Sequence, residues 1–405
     1  MNRCDLDAVV ATSPPNVTYT SGFYMWLDSL FKRYMIDPGG SSDLFRRFVL
    51  VPREGESAFI IDRDMQTNAA ETWIDDVYVG GEADMDSPVG SVRDAAADLA
   101  YLPGRHRHPT TLQCLVEAIR SRGLEHGRIG VELEGLSADS GREIRSALGT
   151  AQVLDCTNLL RLIRMVKTHE EMQRMARAAE IGEAATDKAL ALCQPGVSTR
   201  ELAQCFRCGV SELGADFDHF AFSIAGYGIA TEPDYRLTAH DMMYVDYGCR
   251  YGYYYSDAGT TFSMQPLRKS DQDLFDTVEA SMAAGVDALK PGLPASAAHE
   301  AMRQVLEANG LFGQYPHGHG MGLELRDYPI LVANNGRRIK DDCVDLPSDL
   351  PLEEDMVLNL EVGIFLPNYG SLQNEQTFVV TSDGSRPLVE QNRSRPVTPD
   401  NCSTG

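Results

Sequence analysis

Positive charge is what this chain has least of. Its 405 residues carry 36 lysines and arginines against 59 aspartates and glutamates, a net charge of −23. So acidic a surface repels a nucleic-acid backbone and an anionic membrane, and neither is expected as a partner. No apolar run approaches the length of a membrane span, and Asp5 and Asp7 stand where a secretory leader would need a basic end and an apolar core. Cysteine is sparse as well: nine residues, an odd number without framework spacing, suit free thiols in a reducing compartment and predict a cytoplasmic protein. Cys205 and Cys208 form a lone CxxC, but it lies inside a helical pattern with no second pair, so zinc is not expected there. Residues 1–158 lack a phosphate-cradling glycine loop, which leaves nucleotide binding without support.

What remains is an ordinary folded composition, 43% hydrophobic and 23% charged, in a chain long enough for two or three domains with cores of their own. Residues 1–158 alternate strand-like runs (8–13, 48–52, 58–62, 129–133) with helical ones (near 111–122 and 138–148). That alternation predicts an α/β domain with a largely parallel sheet, suited to packing and closing over a neighbouring site. The segment 13–23 is expected to begin with a turn at Pro14 and Pro15 and to leave Tyr19 and Phe23 packing inward. A linker at 159–167 follows, and Thr168 with Glu171 forms a capping box that opens a helix to about Leu192. Pro195-Gly196 stops that helix, and Ser198 with Glu201 caps the next, which carries Leu202, Phe206, Val210 and Leu213 on roughly one face. The pattern at 191–213 returns at 288–310, its Pro-Gly pairs 96 residues apart. Two copies imply a duplicated α+β unit over 168–383, with a site in the groove between its halves. Residues 384–405 read as a polar tail.

The stretch Met243–Met264 reads as two strands joined by a turn at Cys249–Gly252, with Asp246 on one arm and Asp257 on the other. Facing carboxylates repel unless a cation sits between them, although each acid alone could equally be a solvated residue on an edge strand. Three more candidates lie downstream. His319 sits in HisGlyHisGlyMetGly, where the glycines would let the backbone approach a bound group. Glu361 follows the apolar run MetValLeuAsnLeu, and Glu375 lies in a second strand that pairs with the first through a loop at 367–370. Four acids in apolar or aromatic strands are expensive unless metal coordination compensates them. Two divalent ions about 3.5–4 Å apart, held by carboxylates and one imidazole, are the arrangement that activates a bridging water for hydrolysis.

With these segments in view, the chain resembles the creatinase, prolidase and methionine aminopeptidase group. The similarity runs through SerProProAsnValThrTyrThrSerGlyPhe, the junction ArgLeuIleArgMetValLysThrHisGluGlu, and, in order, ValAspTyrGly, TyrTyrSerAsp, GlyHisGlyMetGly, GluValGly and AsnGluGln. The chain opens later than that group's usual first helix. The resemblance implies an α+β protein, with a creatinase-type N-terminal α/β domain (1–158) and a duplicated pita-bread catalytic domain (168–383). It also implies a homodimer, in which the N-terminal domain of one subunit lies near the site of the other. Carried over, Asp246 would hold one metal, Asp257 and Glu375 would bridge both, and His319 and Glu361 would complete the second, with Glu361 also the general base. The implied cofactor is a pair of divalent ions, manganese first, with iron, cobalt or zinc as alternatives. The implied activity is that of an Xaa-Pro dipeptidase, cleaving an amide C–N bond of a short peptide with a metal-bridging hydroxide. The alternative is a small-molecule enzyme of the same fold, an amidinohydrolase or lyase acting on an osmolyte or betaine.

The chain departs from the group around the substrate. Asp234 follows proline where a histidine is usual, Arg326-Asp327-Tyr328-Pro329 replaces a His-Glu-x-x-Pro motif, Gln373 replaces an arginine, and Gly259-Thr260 replaces Thr-Arg. Asp234 and Arg326 are therefore the candidates for catalytic contacts that histidines would otherwise make. Arg326 would either clamp a substrate carboxylate or pair with Asp327 or Asp234. His317 would either support the site or shape a local turn.

Overall fold

The computed structural model describes residues 1–25, 32–35, 38–40, 46–81, 106–224, 226, 228, 234–390 and 398. The chain divides into two units, Met1–Leu162 with Ile339–Leu346, and Ile163–Arg338 with Pro347–Gly405.

In the first unit the strands are β1 (Ala8–Ala11), β2 (Phe48–Pro52), β3 (Ala58–Asp62), β4 (Asp76–Gly80), β5 (His106–His108), β6 (Arg128–Val131) and β7 (Gln152–Asp155), in the order β5-β4-β3-β2-β1-β6-β7, and valine or isoleucine occurs in all but β5. Only β2 runs antiparallel to its neighbours; every other pairing is parallel. Both faces of the central strands are buried, so β1 to β3 are apolar on both sides, while the edge strands β5 and β7 are more polar and more exposed. Val9, Phe59 and Val77 pack on one face, and Val10, Ile60 and Leu115 on the other. The helices are α1 (Pro14–Ser21), α2 (Thr111–Arg120), α3 (Ala138–Ala147) and α4 (Thr157–Ile163). The turn expected at Pro14 and Pro15 is instead the first turn of α1. Ser13 caps it by accepting from the Asn16 N–H, and prolines fit the first turn because no N–H is needed there. Phe23 is buried as expected, whereas Tyr19 is only half-buried. α4 occupies much of the stretch read as a linker.

In the second unit α5 (His169–Leu190) and α6 (Thr199–Glu212) each open with a complete capping box, Thr168–Glu171 and Ser198–Glu201. They lead into β8 (Asp216–Ser223), β9 (Met242–Tyr251), β10 (Tyr254–Tyr255) and β11 (Ala258–Ser263). The second copy begins with α7 (Lys269–Asp287), α8 (Ser296–Ala308), β12 (His317–Gly320) and β13 (Asp327–Leu331). It continues with a small pair β14 (Arg338–Lys340) and β15 (Asp345–Pro347), then β16 (Val357–Leu366), β17 (Gly370–Val380) and β18 (Ser385–Pro387). Nine strands form one antiparallel sheet, β10-β9-β11-β17-β16-β12-β13, with β8 joined to β9 and β18 to β17.

Two expectations change here. β9 continues through Tyr251, and the chain reverses at Gly252 and Tyr253, both at positive φ, as a two-residue hairpin turn requires. Ser385–Pro387, read as part of the tail, is an edge strand on β17; of that tail, 391–397 and 399–405 lie outside the described residues. Among the described residues no helix is long and apolar enough to cross a membrane.

Candidate metal centre

Cross-strand register assembles the site. Asp246 of β9 lies opposite Gly259 of β11, Gly259 opposite Glu375 of β17, Glu375 opposite Glu361 of β16, and Glu361 opposite His317 of β12. Residues directly opposite share a face, so one row across five strands carries three of the four acids. Asp257 precedes β11, and His319 stands two residues beyond His317 on the same face of β12. Gly259 is where the row needs an absent side chain, because a Cβ there would come within 2.6 Å of Glu375 Oε2. Gly318 and Gly320 of HisGlyHisGlyMetGly are required by strand packing. A Cβ at Gly318 would meet the Asn359 carbonyl at 2.4 Å and one at Gly320 the Tyr328 carbonyl at 2.2 Å, so both admit the neighbouring strands.

Glu361, Glu375, Asp257 and His319 are buried, and the Asp246 side chain is 15% exposed. His319 Nδ1–H donates to the Gly320 carbonyl at 3.0 Å, which directs Nε2 into the acids. Nε2 stands 3.4 Å from Asp257 Oδ2 and 3.3 Å from Glu361 Oε1 yet has no hydrogen-bond partner. Asn359, which sequence reading passed over, is fully buried and donates to Glu375 Oε1 (3.1 Å) and to the Asp257 carbonyl (3.0 Å). Gln373, in place of the group's arginine, donates to the other Glu375 oxygen.

A second imidazole, also passed over, lies on the same sheet. His219 Nδ1 bonds Asp218 Oδ2 at 2.7 Å, and Nε2 lies 2.8 Å from Asp246 Oδ1 and 3.3 Å from Asp257 Oδ1. One donor atom from each of His219, Asp246 and Asp257 falls within 4.8 Å of the others, a grouping able to hold an ion. The only signal in the sequence was two adjacent polar residues inside Phe217-Asp218-His219-Phe220, where strict alternation would allow one.

Arg326 is half-exposed, and its Nη2 donates to Glu361 Oε1 at 2.9 Å, with His317 Nε2 3.1 Å from the same oxygen. Its expected pairing with Asp327 does not occur, since Arg164 takes that carboxylate at 3.0 Å, both side chains being buried. Asp234 is exposed and makes no hydrogen bond or ion pair among the described residues. The first unit has a cavity of about 640 Å³ that mixes Arg46 and Arg142 with Asp62, Asp139 and Glu143, and none of the ligand candidates lines it.

The electrostatics are those of too many acids for the cations present. Burial and the neighbouring carboxylates push Glu375 well above its ordinary value. Asp246 is pushed up by burial and by Asp257, against the His219 hydrogen bond. Burial pushes Glu361 up, but the imidazoles of His317 and His319 beside it outweigh burial and hold the group at about 2. His319 is raised to about 9, because Asp257 and Glu361 overcome the opposing effect of burial. Divalent ions among these groups would relieve the repulsion and accept the unpartnered His319 nitrogen, so the donor set fits such ions.

A duplicated antiparallel sheet with a buried carboxylate–imidazole cluster defines a class of metal-dependent hydrolases, and comparison with known proteins identifies the family. Residues 173–382 match the model of metallopeptidase family M24, and residues 1–166 match the creatinase/prolidase N-terminal domain. The chain belongs to metallopeptidase family M24 and is a metal-dependent hydrolase. It is similar to the Xaa-Pro dipeptidase of Pyrococcus furiosus, 26% identical over 245 residues that cover 58% of this chain and 66% of that protein. It is also similar to the uncharacterized peptidase YqhT of Bacillus subtilis, 24% identical over 287 residues, 69% of this chain and 76% of the relative. Among solved structures, the prolidase of Pyrococcus horikoshii OT3 superposes with a TM-score of 0.72 at 21% identity, over 97% of this chain and 96% of that one. The X-Pro aminopeptidase of Thermotoga maritima MSB8 gives 0.72 at 19% identity, with the same coverage. The two-domain pita-bread architecture is thereby established for this chain.

Proposed function

We propose that the chain is a binuclear metallopeptidase acting on short peptides, most simply at the amide before proline, with Asp246, Asp257, His319, Glu361 and Glu375 holding two divalent ions, manganese first. The observation that carries this reading is the buried His319 Nε2, unpartnered among carboxylate oxygens 3.3 and 3.4 Å away. Ions bound there supply Lewis acidity for water and for a peptide carbonyl. The protein's part is geometric. Glu361 takes a proton from the attacking water and passes it toward the leaving nitrogen. Arg326, now on Glu361, is a cation that a substrate carboxylate can draw away, freeing Glu361 as the acid group docks. Asp234 is the acidic counterpart to Arg326 in recognising the substrate. Purified protein reconstituted with manganese or cobalt is expected to hydrolyse Xaa-Pro dipeptides, and inactivity across both metals would overturn peptide cleavage.

One observation favours a second reading within the same fold. The Arg326–Glu361 pair stands where the family carries histidine, which suits a small charged substrate of the osmolyte or betaine kind. Turnover of such compounds, with dipeptides untouched, would select it. Every cysteine among the described residues is a free thiol, the state expected in cytoplasm, and we place the protein there as a homodimer, to be checked by sedimentation.

A further inference from the structure

We infer that His219 is an additional metal ligand, its Nε2 binding the ion held by Asp246, so that the centre has one imidazole for each ion. This rests on the two-ion reading above.

Asp257 lies between the two histidines, with Oδ1 3.3 Å from His219 Nε2 and Oδ2 3.4 Å from His319 Nε2. A carboxylate that offers one oxygen to each imidazole is placed to bridge two ions, one beside each ring. The spacing suits a shared coordination shell: ligand bonds of about 2.1 Å put neighbouring donor atoms roughly 3.0 Å apart in an octahedron and 3.4 Å apart in a tetrahedron. His219 Nε2 lies 2.8 Å from Asp246 Oδ1 and 3.3 Å from Asp257 Oδ1. Its other nitrogen is tied to Asp218 at 2.7 Å, the carboxylate–histidine arrangement that fixes the tautomer and orientation of a metal-bound imidazole.

The backbone provides for this residue specifically. Register between β8 and β9 shifts at Phe217/His219, so Asp218 is the extra residue of a β-bulge. The bulge keeps Phe217, Phe220 and Phe222 packed on the helical face and leaves His219 on the face that carries Asp246. Opposite His219 stands Gly248, where a Cβ would lie 2.5 Å from the ring's Cε1, so only glycine leaves room for the imidazole. Adding nitrogen to a shell otherwise made of carboxylate oxygen shifts preference toward cobalt, iron or zinc, and so moves manganese from the first place it holds when Asp246, Asp257, His319, Glu361 and Glu375 are the only ligands.

The competing arrangement is an imidazolium that takes the place of one ion, and metal binding separates the two. The full chain is stripped with chelator and titrated with cobalt and with manganese by equilibrium dialysis, and the cobalt absorption spectrum is recorded. Wild type is expected to bind two cobalt ions. His219→Gln should keep one and lose affinity for the other by about 10- to 100-fold, with a changed cobalt spectrum and a smaller cobalt-over-manganese preference. Asp218→Ala, which leaves the ring in place but unanchored, should weaken the same ion by a smaller factor, and circular dichroism checks that both variants fold. Unchanged affinity and spectrum in His219→Gln would overturn the assignment while leaving two ions in place. One ion in wild type and two in His219→Gln would overturn it in favour of the imidazolium. No ion in wild type would overturn the two-ion reading and the His219 assignment together.

Discussion

Each unit buries an acid on its sheet, and the two acids are in opposite circumstances. In the first unit Glu132, just past β6, is 3% exposed; Oε2 accepts from the backbone N–H groups of Thr12 (2.8 Å) and Ser13 (2.9 Å), and Oε1 from Asn16 Nδ2 (2.6 Å). It fastens the start of α1 and its charge is answered by neutral donors. In the second unit Glu375, 1% exposed, has two amide donors but also faces Asp246, Asp257 and Glu361. Burial of a carboxylate therefore says little about chemistry; the balance of donors against neighbouring charge says much more.

Substitutions should pull the two cases apart. The largest effect is expected for Glu375→Gln. Peptidase activity should fall by more than about 100-fold, the upper end of what loss of a supporting partner costs a metal site. Metal-free stability should hold or rise, because a repelled buried charge has been removed; a fall in denaturant midpoint under chelator would equate Glu375 with Glu132. Glu132→Gln should do the reverse, costing about 2 kcal/mol of stability in chemical denaturation with turnover per folded molecule unchanged. Lys167 extends the comparison to a buried cation. Burial holds its amine down to about 8 from 10.5, against the attraction of Asp327 and Glu171. The unfolded chain then binds more protons between those values, so stability should rise with pH from about 8 to 10.5 and stay flat below. Lys167→Met should flatten that rise in denaturation midpoints measured across the window. The smallest effect on stability belongs to exposed Asp234: Asp234→Asn should leave stability, read from the denaturation midpoint, unchanged within about 0.5 kcal/mol and raise KM for charged substrates in steady-state assays.

Much of the second unit was legible because its signals are local. Capping boxes at Thr168 and Ser198 mark helix starts whatever the surroundings, and acids in apolar strands such as Glu361 and Glu375 stand out against burial cost. His219 was not legible, because its facing is set by a bulge, and one extra residue reverses the parity on which strand reading depends. Asn359 was hidden for another reason: a neutral amide in a strand carries no charge signal, and its value lies in bonding two partners distant in sequence. Ser13-Pro14-Pro15 misled because proline serves a turn and a helix's first turn equally well, and packing chooses between them.

The return of residues 339–346 to the first unit makes that unit a product of two separated pieces of chain. Asp342 accepts from the Asp155 N–H at 2.8 Å, Asp341 from the Asn158 N–H at 2.7 Å at the start of α4, and Cys343 packs against the core that holds Val9 and Phe59. No single cleavage can therefore release an intact N-terminal half. A fragment ending at residue 162 would leave those amides to solvent, whereas a nick at the exposed stretch around 333–338 would keep both pieces held by noncovalent bonds.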